Sequence, residues 1–236
     1  MKKLLKEIRT ELKDNATNKD RQSAHRFYIE PIKNYGTKTP IVRKIANTYW
    51  AEIKKQSKKE IFSLCEELLK SDYNEESTIA FQWADKLEKD LVKSDFEIFE
   101  SWARKYVNNW SKCDDFCTHI FGKLILKHPD LLPKTKKWTR SKNLWMRRIS
   151  AVILIYPIRK EERFLPQIFW VSDQLLTDAE DMVQKGYGWT LKEAANHYEK
   201  EVFEFVMNKK SEMPRTALRY AIEKMPPKLK KEAMGK

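Results

Sequence analysis

Apolar residues recur three and four positions apart along nearly all of this 236-residue chain, alternating apolar-polar runs are rare, and only five glycines interrupt the pattern. That period belongs to helices with one buried face, whereas strands would need a period of two. The chain is therefore expected to be all-α. Leu4, Leu5, Ile8 and Leu12 define a first amphipathic helix, and the polar stretch Asp14–Lys19 separates it from a second around Arg21–Lys33. Gly36-Thr37-Lys38-Thr39-Pro40 reads as a stop and restart, with Thr39 as N-cap and Pro40 at the first helical position.

Further helices are expected near 41–55, 58–71, 74–89, 95–107, 111–127, 130–139, 142–156, 160–176, 178–197, 199–208 and 214–225. Helix pairs joined by short polar links repeat at roughly 35–40 residues, which suits a HEAT-like solenoid of antiparallel helix pairs. No Gly/Ser- or Pro-rich linker divides the chain, so residues 1–236 are expected to form one domain.

Charge narrows the partners. Lys and Arg number 47 against 34 Asp and Glu, a formal net charge of +13. Such a field attracts polyanions. The excess is uneven: residues 57–100 hold 12 acidic and 6 basic side chains, while Lys134 to Arg148 hold seven basic and no acidic ones. A charge run alone also describes an ordinary solvated face. Three cysteines, an odd count, and no signal-peptide pattern fit a reducing cytoplasm, and no stretch approaches the roughly 18 apolar residues of a membrane span.

Eight tryptophans divide by their neighbours. Trp50, Trp83, Trp102, Trp138 and Trp170 sit among aliphatic residues at helical spacing and are expected in the core. Trp110, Trp145 and Trp189 stand instead beside a carboxylate, an arginine pair and a double-glycine turn. Trp110 and Asp114, four residues apart, share one face of a helix. Taken singly, each has a plain alternative: Asp114 as a cap or surface carboxylate, Arg148 as the partner of a helix acid, Trp189 as a packed corner.

Together, and in order, Gly36-Thr37-Lys38-Thr39-Pro40, Trp110-x3-Asp114, Phe121-Gly122-x4-Leu126-Lys127-His128-Pro129, Asn143-Leu144-Trp145-Met146-Arg147-Arg148 and Gln184-Lys185-Gly186-Tyr187-Gly188-Trp189 resemble the AlkD family of HEAT-like DNA alkylation repair glycosylases. The resemblance covers most of the chain. It implies a concave basic cleft and hydrolysis of the N-glycosidic bond of 3-methyladenine and 7-methylguanine in double-stranded DNA, captured on an open surface without a base-flipping pocket. Carried over by position, Asp114 is the catalytic carboxylate, Trp110 and Trp189 are cleft aromatics, and Arg148 holds the DNA backbone. At the family's cleft-tyrosine position stands Phe27, with Tyr28 beside it, and Tyr156-Pro157 replaces a more basic stretch.

The residue types suit that chemistry. An N3- or N7-alkylated purine is already cationic, so the enzyme has to stabilise charge developing near C1′ rather than protonate a leaving group; a carboxylate does this and can position water. Phosphate contacts are expected from Thr39 and Arg43 at a helix start, and from Lys142, Arg147, Lys185, Lys192, Arg215 and Arg219, with Phe27 and Tyr28 also facing DNA. No cofactor is expected. Cys113, Cys117 and His119 lack a standard zinc spacing, so no metal site is expected either. A cytoplasmic, nucleoid-associated monomer follows. The competing readings are a non-excising family member that recognises damaged or branched DNA, and a helical scaffold for acidic proteins, which would leave the Trp/Asp/Arg motifs idle.

Overall fold

The computed structural model describes residues 2–26, 28 and 31–235, with only the backbone of Ala24 and His25. Among them the architecture is all-α, and the chain resolves into two compact units, Met1–Asp115 and Phe116–Lys236. No helix among the described residues is long and apolar enough to cross a membrane.

In the first unit, α1 (Lys2–Asp14) buries Leu5, Ile8 and Leu12 against α3 (Thr39–Ile53), which buries Val42, Ile45, Ala46 and Ile53. Between them α2 is confined to Asn18–His25, shorter than expected. Thr17 starts it, its hydroxyl accepting from the Asp20 amide at 3.0 Å and donating to the Asp20 carboxylate at 2.7 Å. Pro31 cannot donate to a helical ladder, and from there the chain runs non-helically to Gly36. Gly36 has φ +93°, and a Cβ there would lie 2.6 Å from the Thr17 carbonyl oxygen. Helix α3 starts one residue earlier than expected: Lys38 is the N-cap, without a side-chain bond, so Thr39 is not the cap.

Helix α4 (Lys58–Leu69) begins at a Ser57/Glu60 capping box and packs on α5 (Asn74–Asp85), which also meets α3. Helix α6 (Asp95–Tyr106) adds Phe99 and Trp102 against Phe62. Two adjacent acids of α5 tie the N-terminal segment down. Glu76, fully buried, accepts from Arg9 Nε and Nη2 and, at 2.7 Å, from the Tyr35 hydroxyl. The Tyr35 hydroxyl is pushed far above its ordinary range, by burial first and by Glu76 second. Glu75 Oε1 accepts the backbone amides of Tyr35, Gly36 and Thr37 at 2.9, 2.9 and 3.2 Å.

The stretch expected as one helix over 111–127 is three pieces: α7 (Trp110–Phe116), a π-helical turn Cys117–Phe121 with His119 off helical geometry, and α8 (Gly122–Lys127). A Cβ on Gly122 would lie 2.8 Å from Tyr156 Cβ, so glycine permits this close packing. The region expected as a helix over 130–139 is mostly 3₁₀ around the short α9 (Leu132–Thr135). Then come α10 (Leu144–Val152), α11 (Ile155–Ile158), α12 (Leu165–Gln174), α13 (Asp181–Ala195), α14 (Glu199–Lys209), α15 (Arg215–Ala221) and α16 (Pro227–Met234), the last of which the sequence reading did not anticipate.

Helix α13 is the hub of the second unit, touching α10, α11, α12, α14 and α15. Its glycines explain how. A Cβ on Gly188 would sit 2.7 Å from Tyr220 Cβ and 2.8 Å from the Ala217 carbonyl, so α15 lies directly on that position. Of the tryptophans expected in the core, Trp83, Trp102 and Trp138 are fully buried, while Trp50 and Trp170 are only half-buried, each with a lysine ammonium over its ring.

Candidate active site

In the first unit the site is built from the start of α7 outward. Asn109 caps the helix, its Oδ1 accepting the Lys112 amide at 3.0 Å, and this fixes the first helical residue, Trp110. The half-buried Trp110 ring stacks on Tyr28, centroids 5.2 Å apart and planes 20° from parallel. Asn109 Nδ2 donates to Asn74 Oδ1 at 2.9 Å, and Asn74 Nδ2 donates to the Tyr28 hydroxyl at 3.3 Å, so one amide relay holds both rings. Burial raises the Tyr28 pKa, and a bond with Ser111 pulls it partly back. Asp114, also half-buried, stands one turn beyond Trp110 on the same face.

The underside of α7 is pinned by a buried lysine. Lys112 Nζ donates to the Asp72 carboxylate at 2.6 Å, the Asp72 carbonyl at 3.1 Å and Asn108 Oδ1 at 3.0 Å. Burial pulls the Lys112 pKa down, opposed by Asp72. Asp72 is pushed up by burial, yet the Lys112 bond and charge outweigh this and hold it below the usual carboxylate range. Asp72 adopts φ +67°, a left-handed backbone seldom used by residues other than glycine. This turn, some 40 residues upstream, sets the attitude of the helix that carries Trp110 and Asp114.

In the second unit Arg148 on α10 is buried, and its Nη1 donates to the Met182 carbonyl. Its side chain passes over Gly186, where a Cβ would lie 3.0 Å from Arg148 Cγ. Three residues along α13, Trp189 Nε1 donates to Glu193 Oε1 at 2.9 Å, and the other oxygen of Glu193 pairs with Arg159 at 2.9 Å. Burial pushes Glu193 up, but the Trp189 and Arg159 bonds and the nearby cations hold it below its ordinary value.

The remaining residues singled out in the sequence fall into four groups. Thr39, Arg43, Lys142, Arg215 and Arg219 are exposed, Thr39 at the first residue of α3 and Arg43 one turn on. Lys185 pairs with Asp181 at 2.6 Å and Lys192 with Glu223 at 2.9 Å. Arg147 differs: Nε and Nη2 grip Asp178 at 2.6 and 3.2 Å while Nη1 donates to the Ser141 carbonyl at 2.8 Å, an anchor for the loop before α10. Phe27 lies outside the described residues; Tyr28, its neighbour, is the ring against Trp110. Cys113 and Cys117 are buried, and no group of three or more His, Cys, Asp or Glu among the described residues could hold a metal ion.

Sequence reasoning missed Asp72, Asn74, Lys112, Arg159 and Glu193. Glu193 was legible, four residues after Trp189 on a helix. Asp72 and Asn74 lie some 35 to 40 residues from their partners, where spacing carries no signal.

Comparison with curated protein sequences finds no match. Among solved structures, one described as a predicted DNA alkylation repair enzyme from Enterococcus faecalis matches with a TM-score of 0.79 at 15% identity, over 90% of this chain and 98% of that one. At that identity the likeness shows a shared all-α helical-repeat fold. The family model for the DNA alkylation repair enzyme matches residues 8–225, through both units. The chain belongs to the DNA alkylation repair enzyme family.

Proposed function

We propose that this DNA alkylation repair enzyme is a monofunctional glycosylase that hydrolyses the N-glycosidic bond of 3-methyladenine and 7-methylguanine in double-stranded DNA. The observation that carries the reading is the Tyr28–Trp110 stack with Asp114 one turn further along the same helix face. Aromatic faces contact the cationic lesion and its sugar, worth about 0.5–2 kcal/mol each. As the C1′–N bond breaks, its electron pair neutralises the purinium ring, and the positive charge moves to the deoxyribose. Asp114 stabilises that charge and accepts a proton from the water that adds to C1′, leaving a free base and an abasic site.

Arg148 and Trp189 complete the machinery in this reading: Arg148 holds a phosphate by forked hydrogen bonds and offsets its repulsion of the carboxylate, and Trp189, fixed by Glu193, supplies a second aromatic face. Lesions are taken on an open surface, so bulky adducts are tolerated. Thr39, Arg43, Lys142, Arg215 and Arg219 are the phosphate contacts, joined by Lys185 and Lys192 once these exchange their carboxylate partners. Arg147 we assign to holding its loop. The family match through both units supports treating the chain as one domain, which we propose acts as a monomer.

The test is release of 7-methylguanine and 3-methyladenine from methylated duplex DNA by wild type and Asp114→Asn. Release by the wild type alone is expected, with duplex affinity similar or higher in the variant. Equal release by both removes Asp114 from catalysis, and no release by either, with salt-sensitive duplex binding intact, leaves a non-excising DNA-binding protein.

A further inference from the structure

The polar network at the start of α7 has a direction, because the backbone amide and the ammonium of Lys112 can only donate. The Lys112 backbone amide donates to Asn109 Oδ1 at 3.0 Å, so the Asn109 nitrogen faces Asn74, where it donates to Oδ1 at 2.9 Å. The same nitrogen donates to Asn108 Oδ1 at 3.3 Å, an oxygen that the Lys112 ammonium already holds as an acceptor at 3.0 Å. Both ends of Lys112 therefore set the same polarity. With its Oδ1 committed as acceptor, Asn74 turns Nδ2 to the Tyr28 hydroxyl and donates to it at 3.3 Å. The Tyr28 oxygen is an acceptor there, and its other partner is Ser111. Each hydroxyl carries one hydrogen, and only one of the two can donate in the bond between them. Whichever does, the pair keeps one O–H hydrogen to give, and both side chains are half-buried rather than sealed from a ligand.

We propose that Asn74 is a positioning residue for DNA: by presenting its N–H to Tyr28 it makes the Tyr28–Ser111 hydroxyl pair a one-way donor toward a phosphodiester oxygen beside the lesion. It rests on the glycosylase reading for laying DNA against the Trp110–Asp114 face. Phosphate and sugar oxygens take roughly half or more of protein–DNA hydrogen bonds, and N3 or N7 alkylation removes that ring nitrogen as an acceptor. The neutrality of the donor matters. Asp114 lies close enough for its charge to act on the Tyr28 hydroxyl. A lysine or arginine in the same place would pair with that carboxylate and weaken the field it offers to the sugar. A hydroxyl gives the phosphate its hydrogen bond and leaves the carboxylate's charge intact.

The experiment is binding of the full chain to a duplex containing a tetrahydrofuran abasic-site analogue, which has no glycosidic bond to cut, read by fluorescence anisotropy across a salt series. Tyr28→Phe combined with Ser111→Ala removes both hydroxyls and keeps a ring against Trp110. It is expected to weaken binding about tenfold at every salt concentration with the slope unchanged, since a neutral donor releases no counterion. Asn74→Asp is nearly isosteric, still accepts from Asn109, and at the first residue of α5 suits the helix dipole. It presents an acceptor to Tyr28, draws the spare hydrogen inward, and is expected to weaken binding about tenfold. Added to the double variant, Asn74→Asp is expected to cost about twofold or less, because no hydrogen is left to redirect. Tyrosine 13Cζ NMR, with the Tyr28 signal assigned by Tyr28→Phe, is expected to show its titration moved to higher pH in Asn74→Asp.

Wild-type affinity in the double variant, a salt slope lowered by about one, an Asn74→Asp penalty as large without the hydroxyls as with them, or an unmoved Tyr28 titration each overturns the assignment. None of these readings needs excision. Intact excision with a costless double variant would sink the relay alone, and the expected losses without any release of methylated base would sink the glycosylase reading alone.

Discussion

At the scale of single residues, the side chains with most to lose are those that fix others. Glu193 takes the Trp189 indole N–H on one oxygen and Arg159 on the other while almost entirely buried. Its folded pKa lies below its ordinary value, so its contribution to stability is present above the ordinary glutamate range and lost as pH falls through that range to the folded pKa. Thermal melts from neutral pH downward are expected to show a smaller acid-induced drop in Glu193→Gln than in wild type; identical pH profiles would remove this residue from the acid response. Removing the carboxylate altogether in Glu193→Ala costs about 1–3 kcal/mol. Gly186→Ala puts a methyl 3.0 Å from Arg148 Cγ, and the arginine has to shift. Under the proposed mechanism that variant loses excision rate while melting near wild type; unchanged single-turnover excision would count against the Arg148 assignment.

At the scale of elements, α5 in the first unit and α13 in the second position the rest. Two neighbouring acids on α5 hold Arg9, Tyr35 and the 35–37 amides. Glu76→Ala leaves the Tyr35 hydroxyl and the Arg9 guanidinium without their acceptor, and because Arg9 stays more than a third exposed to water the cost is about 1–3 kcal/mol, most of it from the buried hydroxyl. Chemical denaturation checks this, and a loss under about 1 kcal/mol would mean that water replaces the carboxylate. Gly188 on α13 is the corresponding weak point, since its nearest neighbours include backbone of α15 that cannot swing away. Gly188→Ala is expected to cost about 1–3 kcal/mol by overpacking, read in the same experiment.

At the scale of the whole molecule, the net charge of +13, with its cationic run over Lys134 to Arg148, is expected to govern the proposed association with DNA. Duplex affinity is expected to fall log-linearly with salt, by a slope of about 0.9 per phosphate neutralised, and Arg43→Ala or Arg219→Ala to lower that slope by about one. A slope unchanged by both would move the interface elsewhere.

The helical class, the approximate places of most helices and residue types suited to the proposed chemistry were all legible in the sequence. Spacing of three and four is a local property that each segment expresses unaided, and Trp110 and Asp114 share a face wherever α7 sits. The remainder came from packing between distant segments. That packing placed Tyr28 against Trp110, gave Asp72 to Lys112, spent Arg147 on Asp178, and broke the 111–127 helix at a π-turn where Gly122 meets Tyr156. Each of these joins residues about 30 to 80 positions apart, and such contacts depend on how helices pack, which no local periodicity encodes.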